Sequence, residues 1–312
     1  MRKSVKIRVP GTSANCGPGF DCLGVSCTIY NDLELTLLRE PGLDIQVEGE
    51  GAEDIPTDER NLVWRSIQFL LGRLKASEDY KGAVIRMKNN VPLSRGLGSS
   101  AAAIVAALKA ANVILGNPLD RRGLLQVATD LEGHPDNVAP AIYGGFTVSL
   151  VHDGVPESFS FLPKAPLELV VAVPNFHLST KAARNALPSE VPLKDAVFNV
   201  GRAALLVGAL AKGNMNFLRY AFDDTLHQPY RAKLIPGMYE VFDAARKAGA
   251  IGAAMSGAGP CIIAYVTDHA AAVGDAMIEA FRGHGVEARA LTLGIDQRGA
   301  QIVRNCAQKI GA

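Results

Sequence analysis

The sequence predicts an α+β fold in two domains, and three observations carry that expectation. Strand patterns and helix patterns come in blocks along the chain, which argues against a strictly alternating parallel sheet. At 312 residues the chain is long enough for two domains, each with a core of its own. With 48% hydrophobic and 20% charged residues it has the composition of a soluble globular protein, without a fixed-period repeat or low-complexity tract.

In the first half, residues 5–9, 28–39 and 43–48 have alternating or β-rich patterns, and Pro41-Gly42 marks a turn between the last two. Residues 61–74 have helical spacing, with Leu62, Ile67, Leu70, Leu71 and Leu74 on one apolar stripe. A strand over 83–88 precedes a glycine-serine loop, and the alanine-rich stretch 101–115 reads as a buried helix. Another helix is expected over 121–131. Pro135 disfavours its continuation, so Glu132, His134, Asp136 and Asn137 are expected on a polar loop. Gly144-Gly145 then opens a strand over 146–151.

The second half begins near Pro163, giving expected domains of 1–162 and 163–312. Residues 167–173 read as a buried strand, and 180–187, 195–210 and 238–247 as helices. Over 251–265 the pattern is strand, glycine loop, strand, with Ser256-Gly257-Ala258-Gly259-Pro260 at the turn. A helix over 270–281 and a strand over 287–293 complete the expected fold.

The most informative stretch is Pro92-Leu93-Ser94-Arg95-Gly96-Leu97-Gly98-Ser99-Ser100-Ala101-Ala102. Glycines without a Cβ let the backbone approach an anion, and the unpaired N–H groups of a helix's first turn point at it. The hydroxyls of Ser99 and Ser100 add donors, or a ligand for magnesium. The stretch reads as a phosphate cradle. It is not a Walker A loop, because no lysine follows the second glycine. It does match Gly-x-Gly-x-x-Ala, but a dinucleotide fingerprint needs its first glycine directly after a strand. Here the expected strand ends at residue 88, with Pro92 between. A plain helix N-terminus with tight packing is the remaining alternative.

A formal net charge of +1 gives no reason to expect nucleic acid or an anionic membrane surface as partner. No uncharged apolar run reaches membrane-spanning length and no signal peptide is evident, so a cytoplasmic location is expected. The five cysteines form no zinc-type pairs and read as buried spectator thiols, Cys16 and Cys22 included.

Residues 10–21 hold three glycines and two prolines, which specify a stiff loop carrying the amide of Asn15 and the carboxylate of Asp21. A carboxylate on such a loop is a receptor for a cationic substrate group; a hairpin turn is the alternative. Glu132, close to the cradle, can hold magnesium directly or through water, and Asn137 or Asp136 can orient or deprotonate a hydroxyl. His134 reads by default as a hydrogen-bonded structural residue. Arg184 and Arg231 are candidate carboxylate clamps, since the guanidinium fork offers two parallel charge-assisted bonds, although a lone arginine is as readily a solvated charge.

Together these segments resemble the GHMP kinases, the superfamily of galactokinase, homoserine kinase and mevalonate kinase. Three motifs carry the likeness in order, over 10–24, 92–102 and 253–260, and Gly-Leu-Gly-Ser-Ser-Ala at 96–101 is highly specific to that superfamily. Within it the chain looks like the homoserine kinases, on Asn15-Cys16-Gly17-Pro18-Gly19-Phe20-Asp21 and His134-Pro135-Asp136-Asn137-Val138-Ala139-Pro140-Ala141. Ser179-Thr180-Lys181 and Arg231-Ala232-Lys233-Leu234-Ile235-Pro236-Gly237 add to it. The resemblance implies an N-terminal domain like domain 2 of ribosomal protein S5, a ferredoxin-like C-terminal domain, and an active site between them.

It also implies ATP- and magnesium-dependent phosphorylation of the L-homoserine hydroxyl, a step toward threonine. By position, Asn15, Asp21, Asn137, Arg184 and Arg231 would bind the amino acid, with His134 beside them. Ser99, Ser100 and Glu132 would hold magnesium, the stretch from Pro92 to Ala102 the phosphates, and Asn61 and Val63 would lie near the adenine. Lys88 and Thr180 would approach the γ-phosphate as catalytic partners of Asn137. Many members of the superfamily have a catalytic aspartate where this chain has Asn137. An amide is no general base, so catalysis is expected to rest on positioning and on stabilisation of a loose transition state. One alternative is a kinase of the same fold for another small alcohol such as mevalonate, which offers no ammonium to Asp21. Another is a non-catalytic regulator, against which Glu132 and the two serines stand. A homodimer is left open.

Overall fold

The computed structural model describes residues 2–308. Apolar alternation in the first third forms β1 (Arg2–Ala14), β2 (Leu23–Leu38), β3 (Gly42–Gly49) and β4 (Gly82–Asn89). One face of these strands carries Val5, Ile7, Leu35 and Ile85. They share a core with α1 (Leu62–Arg73), α2 (Ser99–Ile114), α3 (Arg121–Glu132) and α4 (Pro135–Tyr143). Helix α2 is buried on nearly every side, and its alanines let it lie close to the sheet. Strand β5 (Phe146–His152) pairs with Leu23–Val25 at the start of β2, and β6 (Val155–Phe161) pairs with β5.

The chain then builds a second sheet. Strand β7 (Glu168–Pro174) leads to α5 (Thr180–Asn185), α6 (Leu193–Lys212), α7 (Met215–Leu218), α8 (Gln228–Arg231) and α9 (Met238–Lys247). Strands β8 (Gly252–Met255) and β9 (Ile262–Val266), helix α10 (Ala270–Gly283) and β10 (Ala288–Leu293) follow. The antiparallel order β10-β7-β9-β8 is the ferredoxin-like arrangement expected. Strand β7 is continuously apolar because both of its faces are covered. Leu169 and Val171 pack with Val25 and Phe146 of the first sheet, while Val170 and Ala172 pack against residues of α9 and α10.

Several features depart from expectation. Pro135 starts a helix instead of keeping its segment in a loop. His134 is extended, and proline occupies a first-turn position where its missing N–H costs no intrahelical bond. Strand β6, which the sequence reading passed over, is an edge strand, where Pro156 is tolerated. Cys22 is exposed, not a buried spectator. Finally, β11 (Gln301–Gln308) returns from the second half to pair antiparallel with β1. A division into 1–162 and 163–312 groups this strand with the second unit, whereas its partner lies in the first sheet. No helix among the described residues is long and apolar enough to cross a membrane.

Candidate active site

The pairing of β1 with β2 shifts register between Pro10 and Gly11, a bulge that turns the end of β1 toward the phosphate loop. There Thr12 donates its N–H to Leu97 O at 3.0 Å, and Gly257 donates to Ala14 O at 3.1 Å. Asn15 Nδ2 donates to Gly257 O at 2.8 Å, and Ser256 Oγ to Gly96 O at 2.6 Å. These bonds lace the three glycine loops together where the two sheets meet. They border a cleft of about 460 Å³.

Gly96 (φ +85°) and Gly98 (φ +64°) are left-handed, and a Cβ would come within 2.1 Å of Ser256 O at the first and 2.0 Å of Thr12 Oγ1 at the second. Only glycine fits. Helix α2 starts at Ser99 with no side-chain cap and no acid in its first turn, so its first N–H groups and dipole are available to an anion. The expected ATP segment divides by geometry. Leu93, Ser94, Arg95, Gly96, Gly98, Ser99 and Ser100 line the cleft, joined by Ala103. Pro92, Leu97, Ala101 and Ala102 are buried behind it as support. Arg95 Nε donates to Pro174 O at 2.8 Å, tying the loop to the end of β7.

Ser100 Oγ donates to Glu132 Oε1 at 2.8 Å beside this anion site. Burial pushes the Glu132 carboxyl above its usual range, with the Ser100 bond acting against it. Asp21, His134 and Asp136 each place a ligand atom within 4.8 Å of the others, the one such grouping among the described residues. That grouping includes an imidazole, whereas magnesium takes oxygen ligands, which Ser100 and Glu132 offer.

Elsewhere on the cleft wall Asn61 caps α1, its Oδ1 accepting from Val63 N–H at 2.8 Å. Asn61 and Val63 line the cleft together with Ile55 and Met87. Lys88 is not brought to the site. Strand alternation puts Met87 and Asn89 on the cleft side and Lys88 on the other, exposed, in register with Asp32 of β2. Thr180 is exposed at the start of α5 and does line the cleft.

The remaining polar residues line the same cleft, and several of them are paired with one another. Arg184 donates through Nη2 and Nη1 to the two oxygens of Asp21 at 2.9 and 3.1 Å, and that bond holds its pKa above the usual value. Asn15 Oδ1 accepts from Asp21 N–H at 3.0 Å. Arg231, only 2% exposed, makes no ion pair among the described residues. Burial, with the charge of Arg184 adding to it, lowers its pKa to about 10, so it stays cationic at neutral pH. His134 Nδ1 bonds the Asp136 carboxylate. Burial opposes the charged imidazole, but Asp136 and the other nearby carboxylates outweigh it and raise the pKa.

Asn137 Oδ1 accepts from Thr12 Oγ1 at 2.8 Å, which leaves its Nδ2 as a donor on the cleft wall. Thr12, Phe20, Asp224 and His227, to which sequence reasoning gave no role, pack behind the residues that line the cleft. The Phe20 ring lies 5.7 Å from the Arg184 guanidinium, 5.2 Å from that of Arg231 and 5.2 Å from the His227 ring. The available signal was the four-residue spacing from His227 to Arg231, one helical turn.

A glycine-rich cradle on an uncapped helix, set across a cleft from paired charges, defines a small-molecule kinase site. Family models agree: residues 61–145 match the GHMP kinases N terminal domain and residues 203–283 the GHMP kinases C terminal domain. A homoserine kinase of Carboxydothermus hydrogenoformans is 47% identical over 95% of this chain and 96% of its own. One from Moorella thermoacetica is 44% identical over 95% of this chain and 99% of its own. The crystal structure of homoserine kinase from Cytophaga hutchinsonii superposes with a TM-score of 0.87 at 33% identity, covering 96% of this chain and 97% of that one. Mevalonate diphosphate decarboxylase from Staphylococcus aureus, at 17% identity and a TM-score of 0.69 over 97% and 99% of the two chains, shares the fold. The chain belongs to the homoserine kinase family of the GHMP kinases.

Proposed function

We propose that the chain transfers the γ-phosphoryl group of ATP to the hydroxyl of L-homoserine, giving O-phospho-L-homoserine. One observation carries this reading. The carboxylate of Asp21 pairs with the guanidinium of Arg184, and Arg231 lines the same cleft, which the uncapped N-terminus of α2 also borders. A zwitterionic amino acid fits that trio. Its carboxylate draws Arg184 from Asp21 and meets Arg231, while its ammonium takes the place of Arg184 on Asp21. Every charge withdrawn from water then keeps a partner. The homoserine kinases among the relatives support the choice of amino acid.

Asn137 also lines this cleft. Its Nδ2, directed by the Thr12 bond, donates to the reacting hydroxyl oxygen and aims it at phosphorus. The new O–P bond forms as the β–γ bridging bond breaks. The hydroxyl proton passes to a phosphoryl oxygen or to water, and ADP leaves. No side-chain base is required for a loose transition state. Glycine-loop amides and the α2 N-terminus hold the phosphates, and Ser100 and Glu132 are the residues that would hold magnesium, which neutralises phosphate charge when bound.

ADP release with magnesium and ATP, measured against L-homoserine, D-homoserine, L-serine and mevalonate, tests the reading. Turnover confined to L-homoserine is expected. Turnover of mevalonate instead would overturn the ammonium–Asp21 pairing, and no turnover by nucleotide-binding protein would overturn the kinase assignment.

A further inference from the structure

The role of Arg231 as receptor for the substrate's carboxylate rests on the function proposed above, and it raises a question of aim. A buried guanidinium with no carboxylate partner has to be held by neutral acceptors. Arg231 has three: Nε donates to Ala183 O at 3.1 Å, and Nη1 lies 3.4 Å from both Gly257 O and His227 Nδ1. Its Nη2 makes no hydrogen bond among the described residues, and Arg231 lines the cleft.

We propose that His227 is a positioning residue for the substrate's carboxylate: its bare Nδ1 holds one edge of the Arg231 guanidinium so that the free edge faces the cleft. The tautomer follows from its two partners. His227 Nε2 lies 2.7 Å from Gly17 O, which only accepts, so Nε2 carries the proton. Arginine only donates, so Nδ1 must offer a lone pair. The imidazole is therefore neutral.

His227 is itself held on every side. Its backbone N–H donates to Asp224 Oδ2 at 3.0 Å, and Asp224 also takes the N–H groups of Leu226 at 2.9 Å and Gln228 at 2.7 Å. Asp224 thereby anchors the start of α8, with His227 at its N-cap and Arg231 four residues on at its end. The Phe20 ring stacks on the imidazole at 5.2 Å with 27° between planes, and the guanidinium lies 5.2 Å from the same ring. The charged groups facing His227 are Arg231 on α8, Asp224 before it with Oδ2 3.5 Å from Nε2, Asp21 on the N-terminal loop, and Arg184 on α5 across Phe20. Burial lowers the His227 pKa, with Asp224 acting against it, in keeping with a neutral ring.

Protonation would set a second N–H and a second cation against the guanidinium. The clamp then loses its hold as the pH falls, and the effect should appear on homoserine binding and not on chemistry.

Steady-state kinetics of the full chain test this. Replacing His227→Leu should raise KM for L-homoserine about tenfold through loss of the acceptor, with kcat and KM for ATP little changed. In His227→Asn the side-chain oxygen can stand where Nδ1 stood, and most of the affinity should return. In the wild-type enzyme KM for L-homoserine should climb as pH falls below the ordinary histidine range, and His227→Asn should lack that climb. His134 is present in both proteins, so the difference belongs to His227. Long-range 1H–15N spectra of the unmodified protein should report a protonated Nε2 and a bare Nδ1, whatever the variants' folding and whatever the substrate. A protonated Nδ1 would overturn the proposal, as would unchanged homoserine KM in folded His227→Leu, or a loss confined to kcat. A wild-type enzyme inactive on L-homoserine would sink the substrate assignment separately, leaving the tautomer spectrum to decide whether His227 holds Arg231.

Discussion

A single hydroxyl decides what Asn137 can do. With Thr12 Oγ1 donating to its Oδ1, the amide presents its Nδ2, a donor, to the cleft. Asn137→Ala is therefore expected to lower kcat by about 100-fold, the scale of removing one preorganised donor from a developing charge, with a much smaller change in KM for homoserine. Thr12→Val should lower kcat less, by about tenfold, because the amide survives but can flip. Steady-state kinetics of both variants check the ranking; a larger loss in Thr12→Val would mean that Thr12 itself meets substrate. Asn137, Asp21 and the two arginines, which all line the cleft, were singled out in the sequence because each stands in a segment that resembles the homoserine kinases. Thr12 and His227 were not, since their roles depend on which loops meet in space. Lys88 was misplaced for a simpler reason: within a strand, one position decides which face a side chain takes.

At the scale of elements, the phosphate loop shows why its pattern could be read directly. Gly98 has to be left-handed and has Thr12 Oγ1 where a Cβ would stand, so the residue type itself reports a backbone shape. Gly98→Ala is expected to displace Thr12 from Asn137 and the α2 amides from the phosphates. ATP affinity should fall at least tenfold by calorimetry, and chemical denaturation should show a loss of about 1–3 kcal/mol, the usual strain of a left-handed non-glycine residue. Asn61→Ala removes the cap of α1 and should cost about 1 kcal/mol. If Asn61 also borders the base, nucleotide affinity falls as well. Other elements were ambiguous in principle. Pro135 can end one helix or begin the next, and only the extended His134 before it distinguishes the cases. The edge strand β6 is half-buried or exposed along most of its length, so it carries a weak apolar signal.

Over the whole molecule, the two sheets share one apolar core. Leu23, Val25 and Phe146 of the first sheet pack in a single cluster with Leu169, Val171 and Tyr265 of the second and Phe222 beyond it. Strand β11 closes the exposed edge of β1 after the chain has completed the second sheet. The linear division expected near residue 162 groups β11 with the second half, because a sequence read in order gives no sign that its last strand belongs beside its first. The full chain should therefore lose both sheets together, in one denaturant transition seen identically by far-ultraviolet circular dichroism and by the fluorescence of Trp64, which lies in the first unit's core. A fragment of residues 1–162 leaves the edge of β1 unpaired and bares Val25 and Phe146, so it should aggregate or show no cooperative transition. Cooperative unfolding of that fragment, or two separated transitions in the full chain, would show that the shared core and β11 contribute little to coupling. The functional consequence follows from the same geometry. Asn15 and Gly257, Gly96 and Ser256, and Arg95 and Pro174 are hydrogen-bonded where the two sheets meet, so a variant that loosens the two sheets is expected to separate the phosphate cradle from the residues proposed to hold the amino acid.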